Sequence, residues 1–252
     1  MEAGCLSRSV WRGRVPLVLF LGACLLASVA QARDLGARVE VGPDAAYVQS
    51  EGDDGAAVRI GAALNADVWG LGLFGIAGHF RYAVSIHDLA LDSGGIVAGR
   101  TYITEFDLGP SIQKSLGPLR VRLSVGPWFA YSKLSETNIA ELEEEASSVR
   151  WNQGSFLGGV AEGRVDVGLP VLSPYAFARV KGRNALGIRG GDENAEGAVD
   201  VLGGGGLRLN IIPFIKLGVS AYAGRGTSAL DPTFGSAPAR EYGADVLLTV
   251  LL

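Results

Sequence analysis

The stretch Leu119–Ser132, LRVRLSVGPWFAYS, decides the fold because its two parities differ so strongly. The odd positions are apolar or aromatic: Leu119, Val121, Leu123, Val125, Pro127, Phe129 and Tyr131. The even positions are small or polar apart from Trp128: Arg120, Arg122, Ser124, Gly126, Ala130 and Ser132. A period of two predicts a β-strand with one apolar face. At ~3.3 Å per residue, such a strand would cross a bilayer even when tilted by ~45°.

The first 32 residues differ from the rest of the chain and have the pattern of a secretory signal peptide. Three arginines precede an apolar run, Val15–Ala30, which ends at the small-residue sequence Ala30-Gln31-Ala32. We therefore expect cleavage after residue 32 and a β-barrel domain over residues 33–252. A membrane anchor is the first alternative, although the run is shorter than the ~20 residues of a spanning helix. Lipidation at Cys24 is the second, and it stays open.

Composition excludes several classes of protein. Both cysteines, Cys5 and Cys24, lie in the leader, so disulfide and thiol chemistry are not expected in the mature chain. Taking the leader's three basic residues and one acidic residue from totals of 22 and 26 leaves a net charge of −6, which argues against nucleic acid. After the leader no apolar run has spanning-helix length, yet 48% of the chain is hydrophobic. A closed sheet also satisfies every backbone group in lipid.

Alternating segments recur along the mature chain and predict about ten strands, with eight or twelve as alternatives. The segments are Ala37–Gln49, Ala56–Val68, Leu73–Ile86, Thr101–Lys114, Leu119–Ser132, Trp151–Gly168, Tyr175–Asn184, Ala198–Ile211, Phe214–Arg225 and Glu241–Leu252. Polar loops near residues 50, 93, 143, 190 and 232 alternate with short turns near 70, 117, 171 and 212. This pattern predicts an all-β, antiparallel, up-and-down transmembrane β-barrel with its short turns and both termini in the periplasm.

Two segments, Val41–Tyr47 and Val125–Tyr131, share a Val-Gly-Pro start and an Ala-Tyr end. Because proline cannot donate to the ladder, each Gly-Pro predicts a bulge or bend. With the signal sequence and the ten alternating strands, the chain resembles small bacterial outer-membrane β-barrel proteins. The resemblance implies an outer-membrane location, contact with lipid and lipopolysaccharide, and insertion by the barrel assembly machinery. Such barrels commonly end in an aromatic residue, whereas this chain ends in Leu252.

If the apolar parity faces lipid, the charged parity faces the lumen. The candidate lumen charge network is Arg38, Glu40, Arg59, Asp67, His79, Arg81, Glu105, Asp107, Arg120, Arg122, Glu162, Arg164, Asp166, Arg179, Lys181, Asp200 and Arg208. With Asp44, Arg183, Lys216, Glu241 and Asp245, this parity carries eleven basic and ten acidic groups. Nearly balanced charges in a narrow lumen would pair and close it, whereas an ion-selective porin usually has a surplus of one sign.

Aromatic residues near strand ends predict girdles at the two membrane interfaces. The candidates are Tyr47, Tyr102, Tyr131, Trp151 and Tyr242 at the loop ends, and Trp69, Phe74, Tyr175 and Phe214 at the turn ends.

Catalysis and metal binding have weak support. His87 lies beside Asp88 at a loop end, where an outer-membrane protease would carry its catalytic groups, but no matching aspartates or Ser-His pair are apparent. Acidic loops, such as Glu51 to Asp54, are either solvated or bridge divalent cations to lipopolysaccharide phosphates. No pattern indicates a cofactor. We expect a structural or surface-interaction barrel, with a narrow pore or transport component as the alternative and a barrel enzyme less favoured.

Overall fold

The computed structural model describes residues 35–51, 56–70, 73–90, 96–135, 153–189, 198–227 and 238–252. The predicted leader and most of each polar loop therefore lie outside the described residues. The strands are β1 (Leu35–Ser50), β2 (Ala56–Gly70), β3 (Phe74–Ala90), β4 (Ile96–Leu116), β5 (Leu119–Leu134), β6 (Gln153–Val167), β7 (Leu172–Arg189), β8 (Ala198–Ile212), β9 (Ile215–Thr227) and β10 (Pro238–Leu251). Within these ranges, no helix is long and apolar enough to cross a membrane.

Each strand pairs antiparallel with its neighbours in sequence, and β1 pairs with β10 to close the barrel. In that closing pair Arg38 lies opposite Leu251 and Ser50 lies opposite Ala239. Short turns join β4 to β5 and β8 to β9, and Gly117 takes a left-handed φ of 62° in the first of them. The predicted ten-stranded up-and-down barrel is confirmed, with strand ends within a few residues of expectation except at β4 and β7, which are longer at both ends.

Side-chain parity follows the sequence pattern along every strand. In β5 the side chain of Leu123 is 61% exposed on the outer face, whereas Arg122 and Trp128 are buried inside. Large exposed apolar residues, including Ile60, Ile76 and Val219, cover the outer face. A soluble lipocalin-type barrel would have the opposite distribution, with apolar residues inside and polar residues outside. The structure therefore does not fit that rival fold.

The Gly-Pro segments are not bulges. On either side of Gly42-Pro43 the β1–β10 register is unchanged, since Val41 opposes Leu248 and Asp44 opposes Asp245. Glycine is needed there because neighbouring backbones approach closely: a Cβ on Gly42 would lie 1.8 Å from the carbonyl oxygen of Val246. The register shifts fall elsewhere, in β6 between Ser155 and Phe156 and in β8 between Asn210 and Ile212. The register therefore shows no bulge at Gly42-Pro43, and the other form of this prediction, a bend, stays a prediction.

Candidate functional site: the charged lumen

The lumen is crossed by ion pairs between strands on opposite sides of the barrel. In the cyclic order β1 and β6 are five strands apart in either direction, so they face each other across the interior. The two guanidinium nitrogens of Arg164 on β6 donate to the two oxygens of Glu40 on β1 at 2.9 and 3.1 Å. Glu40 is fully buried, and Arg208 on β8 also approaches its carboxylate at 2.6 Å. These contacts bridge the middle of the lumen.

A second group lies beside this pair towards the turn end. Arg38 donates to Asp67 at 2.9 and 2.5 Å and reaches across the barrel to Asp166 at 3.4 Å. Asp166 also accepts from Arg164 at 3.3 Å and from Arg208 at 2.5 Å. Because one carboxylate holds three arginines from three strands, the cross-section here is bridged as well.

Arg122 joins the second group to the strands on the far side. It donates to both Asp67 and Glu162. Glu162 in turn accepts from Arg179 at 2.9 and 2.5 Å. Arg179 lies 3.8 Å from Asp107, which places β4 in the same network. Charged groups from seven strands, β1, β2 and β4 to β8, are therefore connected around the mid-lumen.

A third group lies towards the loop end and is centred on Arg81. Its guanidinium donates to Asp44 at 2.6 Å, to Glu241 at 3.1 Å and to the hydroxyl of Tyr222 at 2.9 Å. The Tyr222 hydroxyl donates to Asp44 at 2.7 Å, so Arg81 and each of its three partners have a hydrogen bond within this third group. Arg59 completes it with an ion pair to Glu241 at 3.2 Å.

Apolar side chains fill the lumen beside the charges. Ile103, Trp128, Ala130 and Phe156 form a buried cluster. Lys181 lies 5.4 Å above the Trp128 ring and donates to Glu105 at 2.8 Å, which joins this cluster to the charges. Two internal cavities in the described part of the barrel have volumes of only about 80 and 60 Å³. At ~30 Å³ per water, each holds a few water molecules.

Fifteen of the seventeen candidate network residues take part in these ion pairs. Arg120 is different: in the described ranges it lies 5.2 Å over the Trp69 ring and has no ion pair within 4 Å. Asp200 lies on the lumen face of β8 and lines the 60 Å³ cavity. Arg120 lies on the predicted lumen face of β5, but it is two positions beyond Arg122, at the mouth, and borders the ion-paired network.

The girdle candidates separate by parity. Tyr47, Tyr102, Tyr131 and Tyr242 are exposed on the outer face at the loop end, as Phe74 and Phe214 are at the turn end. Trp151 lies outside the described residues. Trp69 and Tyr175 point into the lumen, so their assignment to the girdle was wrong. Both have the parity of nearby charged residues, and Tyr175 stacks between Arg164 and Arg208 at 4.5 and 4.0 Å.

Tyr222 was missed by the sequence analysis, although it has the same parity in β9 as Lys216. Phe177 was missed as well. Its ring lies against Gly204, where a Cβ would be 3.0 Å from it. The usable signal was parity, since an aromatic residue on the charged face of a narrow barrel must fill the lumen.

The two histidines occupy separate positions. His79 lies 3.5 Å from Asp107 within the network. His87 is buried, with its Nε2 3.1 Å from the hydroxyl of Thr101. The described residues contain no group of three or more His, Cys, Asp or Glu side chains placed to hold a metal ion.

Glu51 is the acidic loop residue that the structure describes. It accepts from Arg225 at 2.5 Å and from Arg240 at 2.7 Å. The hydrogen bond from Arg240 holds the pKa of the Glu51 carboxyl below its ordinary value. Its charge is therefore already compensated within the barrel rim. The remaining loop acids lie outside the described residues.

Comparisons with known proteins find structural matches but no sequence match. No protein family and no curated protein matches the sequence. The chain resembles small outer-membrane β-barrels. The β-domain of the Bordetella autotransporter BrkA aligns with a TM-score of 0.46 and 11% identity over 84% of this chain and 98% of that one. The translocator domain of the autotransporter NalP from Neisseria meningitidis gives 0.42 and 12% over 93% and 95%.

The outer-membrane protease OmpT from Escherichia coli aligns with a TM-score of 0.42 and 9% identity over 88% of this chain and 97% of that one. Identities this low concern the fold alone. The function has to be argued from the residues of this chain.

Proposed function

We propose that this chain is an outer-membrane β-barrel with a lumen closed by its own side chains and with a structural or surface-interaction role. The observation that carries the proposal is the buried two-bond contact between Arg164 and Glu40, which joins opposite walls of the barrel. Barrels of about eight strands are filled by side chains, and open channels need about sixteen. A ten-stranded barrel with ion pairs across its interior is therefore closer to the filled eight-stranded barrels than to the open channels.

The outer surface supports a membrane location. A soluble monomer rarely exposes an apolar patch larger than about 300–600 Å². Here exposed leucine, isoleucine and valine side chains occur on every strand from β1 to β10. Lipid is the solvent that such a surface requires. The alternation of short turns with long connections supports a periplasmic position for the turns and for both termini.

Cell fractionation tests the location. We expect the protein in the outer-membrane fraction, with a folded form that migrates differently on gels before and after boiling. Recovery in a soluble fraction would contradict the proposal.

Conductance across planar bilayers tests the closed lumen. Purified protein should give no steady channels in the nanosiemens range, because ion passage requires separation of the Arg164–Glu40 contact and of the arginines around Asp166. The double variant E40Q/R164Q removes the central charges and should raise the frequency of brief openings. E51Q, which alters the rim alone, is the matched control. Steady wild-type channels would favour the alternative function, a narrow pore or transport component.

Contacts with lipid, lipopolysaccharide and the barrel assembly machinery belong to the same proposal. The exposed tyrosines at the loop end are suited to the outer interface. Direct bridging of cations by Glu51 has less support, because two arginines hold this carboxylate. Calorimetry with Ca²⁺ should therefore show the same heat for wild type and E51Q. The proposal includes no catalytic step.

A further inference from the structure

The turn end of the barrel opens into a cavity of about 320 Å³, several times larger than the two internal cavities. Its wall includes four cationic side chains, Arg38, Arg120, Arg208 and Lys216, and Asp166 as its acidic side chain. The cavity is therefore electropositive, even though the lumen charges are nearly balanced over the whole barrel.

The acidic side chain in this wall is already engaged. Asp166 has ion pairs with Arg38, Arg164 and Arg208, at distances of 2.5 to 3.4 Å. Arg120 and Lys216 have no ion pair within 4 Å among the described residues. Both are only partly buried, so their charged ends border the open volume. Two positive charges thus face the same cavity without an ion pair within 4 Å among the described residues, and the nearby carboxylate, Asp166 opposite Arg120 in the β5–β6 pair, is shared with three other arginines.

Arg120 is held in place rather than left to move freely. Its guanidinium stacks on the Trp69 ring at 5.2 Å, a cation–π contact that leaves the N–H edge available. Trp69 in turn lies flat against Gly36, where an added Cβ would be only 2.5 Å from the ring. The inward position of Trp69, unexpected for a girdle residue, therefore orients an arginine towards the cavity.

We propose that this cavity is a binding site for a phosphate group, presented either as free phosphate or as the headgroup of a phospholipid. An arginine fork beside a lysine point charge is a common way to hold such an oxyanion. The volume is near the lower limit of ligand pockets, about 300–1,000 Å³, and suits a compact group. The site shares Arg38, Asp166 and Arg208 with the ion pairs that bridge the lumen, but Arg120 and Lys216 take no part in those pairs, so variants of these two residues test the site separately from the proposed function.

Calorimetry on the full chain in an uncharged maltoside detergent tests the site. Inorganic phosphate should bind to the wild type, and binding should weaken as NaCl is added. R120Q/K216Q should weaken binding by about a hundredfold, because each of the two lost charged contacts is worth about tenfold in affinity. K114Q is the matched control: Lys114 lies at the same end but is exposed on the outer face, so its loss should change the affinity less than twofold.

A short-chain phosphatidylglycerol is the second probe and distinguishes the two sources. Displacement of phosphate by this lipid would show that the site accepts a headgroup, and failure to displace it would identify free phosphate. The single variant K216Q, which removes no ion pair, serves if the double variant does not fold. Absence of heat with both probes would overturn the proposal, as would equal weakening by K114Q and K216Q.

Discussion

Removal of Arg164 should destabilise the barrel more than removal of a lumen arginine that has no ion pair, Arg120. In R164M, Glu40 loses its two-bond partner and stays fully buried. Removal of one member of a buried ion pair costs about 3–5 kcal/mol, because the remaining charge is uncompensated. Arg208 at 2.6 Å and the Thr249 hydroxyl at 3.5 Å still face Glu40. We therefore expect a loss near the lower limit, about 3 kcal/mol.

The comparison variant is R120M. It removes an arginine of the same lumen parity that has only the stacking contact with Trp69. A cation–π contact at a partly exposed site is worth about 0.5–1 kcal/mol. The double variant E40Q/R164M should recover part of the R164M loss, because no unpaired buried charge is left.

Equilibrium unfolding in urea, followed by tryptophan fluorescence in lipid vesicles, measures these differences. A two-state transition with an unchanged m-value is required for the comparison. If R164M were no less stable than R120M, the Arg164–Glu40 contact would not hold the lumen closed, and the central step of the proposed function would be refuted.

Three further predictions concern other parts of the barrel. L123R should cost about 2–4 kcal/mol of folding free energy in vesicles, because a charge on the lipid face is most costly at the membrane midplane. L116R, at the strand end, should cost only about 0–1 kcal/mol. Equal losses would mean that Leu123 does not face the membrane midplane. G42A should cost about 1–3 kcal/mol or prevent closure, because its Cβ would meet the Val246 carbonyl, whereas G182A has no atom within 4 Å and should be nearly neutral in the same unfolding assay. The Glu51 carboxyl should titrate below 4.5 by NMR, so its contacts with Arg225 and Arg240 persist above that pH and are lost as the pH falls through the lowered pKa. R240Q removes one of these contacts and should raise the pKa of Glu51. An unchanged titration midpoint in R240Q would argue against this contact.

Much of the fold followed from local alternation, since parity in a strand depends on that strand alone. Within Leu119–Ser132, burial alternates between the predicted inner and outer faces from Arg122 onward. The pairing of side chains across the lumen could not be predicted in this way. That Arg164 meets Glu40, 124 residues away, depends on the number of strands between them and on the closing register of β1 with β10. No local pattern contains that information.

The errors at Trp69 and Tyr175 have one physical cause. Each was assigned from its place near a strand end, where amphipathic rings anchor in membranes, although its parity already placed it with charged residues. In a ten-stranded barrel the interior must be filled, and an aromatic ring stacked on arginine fills space and accompanies the charge. Gly204 lies directly opposite Phe177 in the β7–β8 pair, and its lack of a side chain leaves room for the Phe177 ring. Parity should therefore outweigh position when the two conflict in a narrow barrel.

Arg120 and Arg122 show why a charge count does not describe a lumen. The two residues have the same parity and are two positions apart, but Arg122 has ion pairs with Asp67 and Glu162, while Arg120 lies opposite Asp166 at the mouth and has no ion pair within 4 Å among the described residues. Glu40 and Glu162 are paired with Arg164 and Arg179, so a total charge near zero over the barrel still leaves more cations than carboxylates in the wall of the turn-end cavity. Arg122 therefore belongs to the ion-paired network, and Arg120 borders the cavity that we propose as a phosphate site.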